Sequence, residues 1–300
     1  MNNRIVTIFI HGTVPPTPVL KIPVVQDFYF CPPGISRARD LDTKFQASKV
    51  AQMLSTTDPE QFDYDHFYLF GWSGYLRFNE RTKAAQELAT HIEDLKKEYE
   101  AQGLTCMFKV ITHSHGGNVA LSLKALKGDL GFVIDELILL ACPVQTRTEA
   151  YAHDPLFKKV FSFYSQHDLL QVIDPQGAHH FLESLKQHGL ESTIKQREKF
   201  GPLFSGRRFE PSSSVTQLNV RYANRELFHI EFLFPTFISA LPKLLTLMKN
   251  HVKTDPTKPD TLFFVLNNEV ERNEQDEKLE KLYEEIVEKY EPALKKLSDN

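Results

Sequence analysis

The stretch "KVITHSHGGNVAL", residues 109–121, decides how the rest of the chain is interpreted. An apolar β-type segment leads into a serine between two histidines, followed by two glycines and a helix-forming segment. A serine at such a sharp strand-to-helix turn is strained, and the turn needs small residues close by. Gly116 and Gly117 meet that need, and the N–H groups that open the helix point to the space above Ser114. The pattern indicates a nucleophile, with a simple helix N-cap as the alternative.

The composition is that of a globular protein with little net charge. Of 300 residues, 41% are hydrophobic and 25% are charged, and the net charge is −4. Residues 268–300 carry eleven acids and six bases, so the rest of the chain is nearly neutral and gives no electrostatic reason to expect nucleic acid as a partner. Three cysteines without metal spacing are expected to be free thiols: Cys31, Cys106 and Cys142.

The chain contains no apolar run long enough for a transmembrane segment, and its first residues lack a signal-peptide cleavage site. We therefore expect a cytoplasmic protein by default, with export by a route that needs no cleavable signal left open.

Apolar segments alternate with helical patterns, which predicts an α/β fold with a mostly parallel sheet and helices on both faces. Helices are expected after Asn79, after Gly117 and from Pro235, the last kinked or broken at Pro242. The predicted strands are Arg4–Ile10, His66–Phe70, Met107–Thr112, Glu136–Leu140, Val160–Tyr164 and Thr216–Tyr222.

The expected organisation is one domain at 1–267 followed by a charged amphipathic helix at 268–300. Two long connections, 13–60 and 174–215, interrupt the alternation and are candidate lids. In the tail, an apolar stripe and acid-before-base pairs four residues apart predict a helix with one side to bury. The helix packs on the domain, pairs with its copy in a homo-oligomer, or recruits a partner.

The turn at Ser114 resembles the nucleophile elbow of the α/β-hydrolase family, which reads G-x-S-x-G. Thr112 stands at the first glycine position of this motif, and Gly116 stands at the second. The first predicted strand ends in "FIHGT", residues 9–13, where the family has a loop that donates an oxyanion N–H. The resemblance covers residues 4–250. Within the family, the chain looks like a bacterial-type lipase or esterase.

The family's chain order of serine, acid and histidine implies the partners of the nucleophile. Asp168 follows the predicted strand 160–164 and is the expected acid, with Asp174 in reserve. His229 follows the predicted strand 216–222 and is the expected general base. A helix cap or a buried, hydrogen-bonded histidine is the alternative role for His229.

The resemblance also implies an oxyanion hole formed by the backbone N–H groups of Thr13 and His115. The candidates for pocket lining are His11, Gly12, Trp72 and Tyr75, with plain packing as the alternative for the two aromatic residues. A metal held by nearby histidines is less favoured, because no acidic or cysteine ligand stands at metal spacing.

These inferences predict a serine hydrolase that cleaves a carboxylic ester of a small molecule or lipid through an acyl-enzyme on Ser114. No cofactor or metal is expected. The apolar residues 28–30 and the insertion at 174–215 favour a carboxylesterase or lipase over a peptidase. Thioesterase or amidase chemistry would use the same triad. A non-catalytic binding protein with the hydrolase fold is the other alternative, and Thr112 is the residue that supports it.

Overall fold

Within the described residues, a central sheet has eight strands in the order β2-β3-β1-β4-β5-β6-β7-β8. All neighbouring strands are parallel except β2, which pairs antiparallel with β3. The computed structural model describes residues 2–14, 27–29, 31–75, 77–166, 168, 206–251 and 262–266. The strands are β1 (Asn2–Ile10), β2 (Gly34–Arg37), β3 (Phe67–Gly71), β4 (Leu104–His113), β5 (Glu136–Leu140), β6 (Val160–Tyr164), β7 (Val215–Tyr222) and β8 (Phe263–Leu266).

Helices cover both faces of this sheet, which confirms the predicted α/β class. Alternate residues of β1 belong to different apolar clusters: Phe9 to one, and Ile8 and Ile10 to the other. Since side chains alternate along a strand, the two clusters lie on opposite faces. In the described part of the chain the α-helices are α1 (Gln46–Thr57) and α4 (Pro235–Asn250) on the Phe9 face, and α2 (Phe78–Ala101) and α3 (Gly116–Leu121) on the other.

Six strands match the predicted segments, with ends shifted by up to three residues. The strands β2 and β8 were not predicted. Each has four residues and lies at an edge of the sheet, where partial exposure leaves little apolar pattern to detect.

The stretch 13–60, predicted as a long connection, contains both β2 and helix α1. Helix α1 buries Val50, Ala51 and Leu54 against the sheet, but its N-cap residue is Phe45, which offers no capping side chain. Without a cap signal, and with prolines earlier in the stretch, the helical spacing was not recognised.

Helix α4 begins at Pro235 as expected, but it continues through Pro242 to Asn250 rather than breaking there. Leu241, Leu244 and Leu245 are fully buried on the Phe9 face of the sheet. Tertiary packing of this apolar side stabilises the helix against the loss of one backbone hydrogen bond.

The predicted C-terminal helix at 268–300 lies outside the described residues, as do residues 174–205 of the long insertion. Within the described part of the chain, no helix combines the length and the apolar character needed to cross a membrane.

Candidate active site

Ser114 occupies the turn that joins β4 to α3, at the carboxyl edge of the parallel strands. Its backbone φ is +52°, a left-handed conformation that is uncommon for a residue other than glycine. The turn is held by two backbone hydrogen bonds: the Ser114 N–H donates to Leu140 O at 2.8 Å, and the Gly117 N–H donates to Ser114 O at 3.0 Å. Strain of this kind persists only where neighbouring structure enforces it, and it is concentrated at functional sites.

Two glycines allow the β1 loop and the β4 turn to approach each other closely. A Cβ on Gly116 would lie 2.5 Å from His11 O, and a Cβ on Gly12 would lie 2.8 Å from Ser114 Cβ. Neither position accepts a side chain without movement of its surroundings. The loop after β1 is therefore in direct contact with the Ser114 turn.

Thr112, which replaces the first glycine of the elbow motif, is accommodated at the end of β4. The residue is fully buried, and its hydroxyl donates to Ile138 O on the neighbouring strand β5 at 3.3 Å. The threonine is thus compatible with the left-handed turn two residues later.

His229 and Asp168 come together from two different loops. His229 opens the short 3₁₀ turn His229–Leu233 after β7, and Asp168 follows β6. The His229 Nδ1–H donates to Asp168 Oδ2 at 2.7 Å, and the Asp168 side chain is fully buried. This bond fixes the orientation of the imidazole and the nitrogen that carries its proton, which is the arrangement that allows a histidine to act as a base.

His113, the residue directly before Ser114, contacts His229. The His113 ring lies 4.8 Å from the His229 ring, and the His113 Nε2–H donates to His229 O at 3.0 Å. Burial, and secondarily the charge of His229, lower the pKa of His113 to about 3. Burial and the nearby Arg81 and His229 also hold the pKa of His115 well below its usual value. Both flanking histidines are therefore neutral at physiological pH.

His11 is fixed in the loop after β1 by hydrogen bonds to Trp72. Its Nδ1–H donates to Gly12 O at 2.7 Å, and its Nε2 accepts from the Trp72 N–H at 3.1 Å. The Trp72 indole N–H in turn donates to His11 O at 2.9 Å. Burial lowers the pKa of His11 to about 4. His11, Gly12 and Trp72 thus form one buried unit next to Ser114, whereas Tyr75 is 61% exposed.

The two backbone groups predicted as oxyanion donors belong to segments that meet at Ser114. His115 directly precedes α3, and Thr13 follows Gly12, whose Cα lies against the Ser114 side chain. Among the described residues, neither N–H donates to a backbone carbonyl. The hydroxyl oxygen of Thr13 is also buried without a hydrogen-bond partner in that part of the structure. Unpaired donors at such a turn can stabilise a developing negative charge.

Arg81 is a site residue that the sequence analysis did not identify. It is 2% exposed, and its Nη1–H donates to His115 Nδ1 at 2.8 Å. A signal was present in the sequence, because Arg81 falls on the buried stripe of α2 with Ala85 and Leu88. A charged residue on an apolar helix face is rarely buried without a specific contact.

Arg225 and Glu231, on either side of His229, were also not identified. Glu231 is fully buried and pairs with Arg225 through two bonds of 2.7 Å. They lie in the irregular loop after β7 and in the short 3₁₀ turn that follows it, so no helical or strand pattern marks them as a pair.

The remaining candidates are not part of this arrangement. Asp174, the reserve acid, lies outside the described residues. The three cysteines are free thiols, and only Cys142 is fully buried. In the residues that the structure describes, no three His, Cys, Asp or Glu side chains are placed so that they could hold a metal ion.

The fold and the site define this protein as an α/β protein with a strained serine, a histidine and a buried carboxylate at the carboxyl edge of its sheet. The chain matches no protein-family model, and no curated protein is significantly similar to it.

Proposed function

We propose that the protein is a serine hydrolase that cleaves carboxylic esters, with Ser114 as nucleophile, His229 as general base and Asp168 as the orienting acid. One observation carries this proposal. Ser114 takes a left-handed conformation at the end of β4, and the preceding residue, His113, contacts a histidine whose Nδ1–H is bonded to a buried aspartate. Nucleophilic catalysis by serine requires a serine, a histidine base and a carboxylate that orients the base, and the meeting of these three segments supports the proposal.

In the proposed reaction, Ser114 Oγ attacks the ester carbonyl carbon and its proton passes to His229 Nε2. The backbone N–H groups of Thr13 and His115 hold the resulting oxyanion, a contribution commonly worth about 3 kcal/mol per donor. His229 then gives the proton to the leaving alcohol, and water attacks the acyl-enzyme by the reverse sequence of proton transfers. Asp168 keeps the Nδ1–H of His229 in place throughout.

Labelling with a fluorophosphonate, which reacts with activated serines, tests the proposal. We expect the wild-type protein to be labelled, Ser114→Ala to lose labelling, and His229→Gln to react roughly a thousandfold more slowly. The control is Ser73→Ala, because Ser73 lies between Gly71 and Gly74 and so has a similar sequence context. Unlike Ser114, Ser73 is exposed, and its hydroxyl donates to Glu80. Ser73→Ala is expected to be labelled at the wild-type rate.

Two results would contradict the proposed activity. Labelling that persists in Ser114→Ala would place the reactive group elsewhere. A folded wild-type protein that is not labelled would favour a second candidate, a non-catalytic binding protein with a hydrolase-like fold. The low exposure of Ser114, 6%, is the observation that favours this second candidate.

The substrate class belongs to the same proposal. We propose a small-molecule or lipid ester as the substrate, with a thioester or an amide as alternatives that the same triad could cleave. Rates over a series of p-nitrophenyl esters of increasing acyl length distinguish an esterase from a lipase. The triad that we propose belongs to the family which the sequence resembles, the α/β hydrolases. We also propose that the chain self-associates through the segment 268–300.

A further inference from the structure

An ion pair with a fully buried carboxylate joins the loop after β7 to the turn that begins at His229, the proposed base. Arg225 Nη1 and Nη2 donate to the two carboxylate oxygens of Glu231, each at 2.7 Å. The Glu231 side chain is fully buried and that of Arg225 is 29% exposed. Glu231 also accepts a hydrogen bond from the Phe228 N–H. We call this group of contacts between Arg225, Glu231 and the Phe228 N–H the 225–231 clasp.

The clasp fixes the backbone immediately before His229. Glu231 Oε2 accepts from the Phe228 N–H at 2.7 Å, and the Glu231 N–H donates to Phe228 O at 3.0 Å. Phe228 has no side chain that can cap the turn, so the carboxylate of Glu231 performs that role from inside the turn. The residue that precedes the imidazole is therefore held through both its N–H and its carbonyl group.

Arg225 connects this turn to the end of the sheet. Its guanidinium lies over the ring of Tyr222, the last residue of β7, at 4.5 Å, and over the ring of Phe228 at 5.0 Å. It also donates to Glu226 O at 3.0 Å. The position of the turn is thereby tied to a strand rather than to a free loop.

The next residue, Glu226, ties the same loop to the segment that leads to Asp168. Glu226 Oε2 accepts from Ser165 Oγ at 3.1 Å and from the Gln166 N–H at 3.0 Å. Adjacent residues of one loop thus hold the backbone on the His229 side and the backbone on the Asp168 side. The hydrogen bond between His229 and Asp168 depends on the relative position of these two segments.

Stability alone does not explain an ion pair with a fully buried carboxylate at this place. Apolar residues of similar volume are often as stabilising as a buried ion pair, because burial removes the hydration of both charges. A two-point pair does, however, define distance and direction between its partners more strictly than apolar contact does.

We propose that Arg225 and Glu231 are positioning residues, whose clasp sets His229 in the geometry required for its hydrogen bond to Asp168. This inference rests on the proposed function, because it assigns a purpose to the placement of the proposed base. A displacement of about 1 Å at a reacting group is enough to reduce a rate on the order of a hundredfold.

The test uses Glu231→Gln in the full-length protein and two measurements. The first is the NMR resonance of the His229 Nδ1 proton, which a hydrogen bond to a buried carboxylate moves far downfield and which His229→Gln identifies by its loss. The second is the rate of fluorophosphonate labelling of Ser114. We expect Glu231→Gln to shift or broaden the resonance and to slow labelling by roughly ten- to a hundredfold.

The matched control is Asp135→Asn, directly before β5, at the amino ends of the parallel strands. Like Glu231, Asp135 combines a backbone N–H with a cation: it accepts from the Phe108 N–H at 2.8 Å and from Lys158 Nζ at 2.6 Å. We expect this variant to lose stability while it keeps the His229 resonance and the labelling rate. If Glu231→Gln does not fold, Arg225→Lys keeps the charge, removes the two-point pairing, and is expected to show the same two changes.

The inference is overturned if a folded clasp variant retains both the resonance position and the labelling rate of the wild type, even when it is less stable. It is also overturned if Asp135→Asn changes both to the same extent. The resonance does not depend on hydrolysis. A protein that is not labelled, but whose His229 resonance is lost in Glu231→Gln, would therefore refute the proposed function and support the clasp.

Discussion

At the scale of single residues, the candidate site depends on close approach between two backbone segments. Gly116 lies directly against the carbonyl groups of Ile10 and His11, at the point where the β1 loop meets the β4 turn. Atoms of the backbone cannot move aside as the end of a flexible side chain can. The requirement for glycine at this position therefore comes from packing between segments that are about a hundred residues apart.

We expect Gly116→Ala to lower the free energy of unfolding by about 1–3 kcal/mol, because its Cβ would lie 2.5 Å from His11 O. Urea unfolding measures the change. The control is Gly206→Ala, whose Cβ would have its nearest neighbour at an ordinary distance of 3.6 Å and which we expect to change stability by less than about 0.5 kcal/mol. Equal stabilities of the two variants would argue against the contact.

At the scale of elements, strand β4 contains a buried lysine in its middle, at Lys109. Lys109 Nζ donates to Gln61 O at 2.8 Å, lies 3.4 Å from Glu136 Oε2, and sits over the Phe62 ring. Burial is the main cause that lowers the pKa of Lys109 to about 8, partly opposed by Glu136. The charged form of this side chain is therefore disfavoured in the folded protein.

The lowered pKa of Lys109 predicts a pH dependence of stability at alkaline pH. Between about pH 8 and the ordinary lysine value of 10.5, the unfolded chain binds this proton and the folded protein has released it. The free energy of unfolding of the wild type, relative to Lys109→Met, should therefore rise with pH across this window by up to about 1.4 kcal/mol per pH unit.

Urea unfolding of both proteins at pH 8 and pH 10 gives this difference. Lys83→Met, on the exposed side of α2, is the control, and its difference from the wild type should stay constant with pH. A constant difference for Lys109→Met would show that Lys109 keeps its proton in the folded protein.

At the scale of the whole molecule, the candidate site places several neutral histidines in the interior. Burial lowers the pKa of His11 to about 4 and that of His113 to about 3, and it also lowers the pKa of His115. When the protein unfolds, these rings regain the ordinary histidine value near 6.5. The unfolded chain therefore binds more protons than the folded protein in mildly acidic solution.

This difference predicts that the protein loses stability as the pH falls from about 6.5 to about 4. Each such histidine contributes up to about 1.4 kcal/mol per pH unit. We expect the free energy of unfolding of His11→Asn to fall less steeply with decreasing pH than that of the wild type. The slopes should differ by up to about 1.4 kcal/mol per pH unit, which corresponds to one proton. Thermal or urea unfolding from pH 7 to pH 4.5 tests this. Parallel slopes for the two proteins would mean that His11 is protonated in the folded state.

The sequence by itself determined the fold class, six of the strands and the serine turn, because these features depend on neighbours along the chain. Apolar runs identify buried strands, and a serine followed by glycines between a strand and a helix is a local pattern. Chain order also led to His229 and Asp168 as a pair, and the structure places them 2.7 Å apart.

The tertiary structure alone decided which charged side chains contact the segments around Ser114 and His229. Arg81 reaches His115 from helix α2, and Arg225 meets Glu231 across an irregular loop. Edge strand β2 likewise exists only because β3 is there to pair with it. Contacts of this kind depend on the register of the sheet and the path of its loops, which bring distant residues together and leave no regular spacing in the sequence.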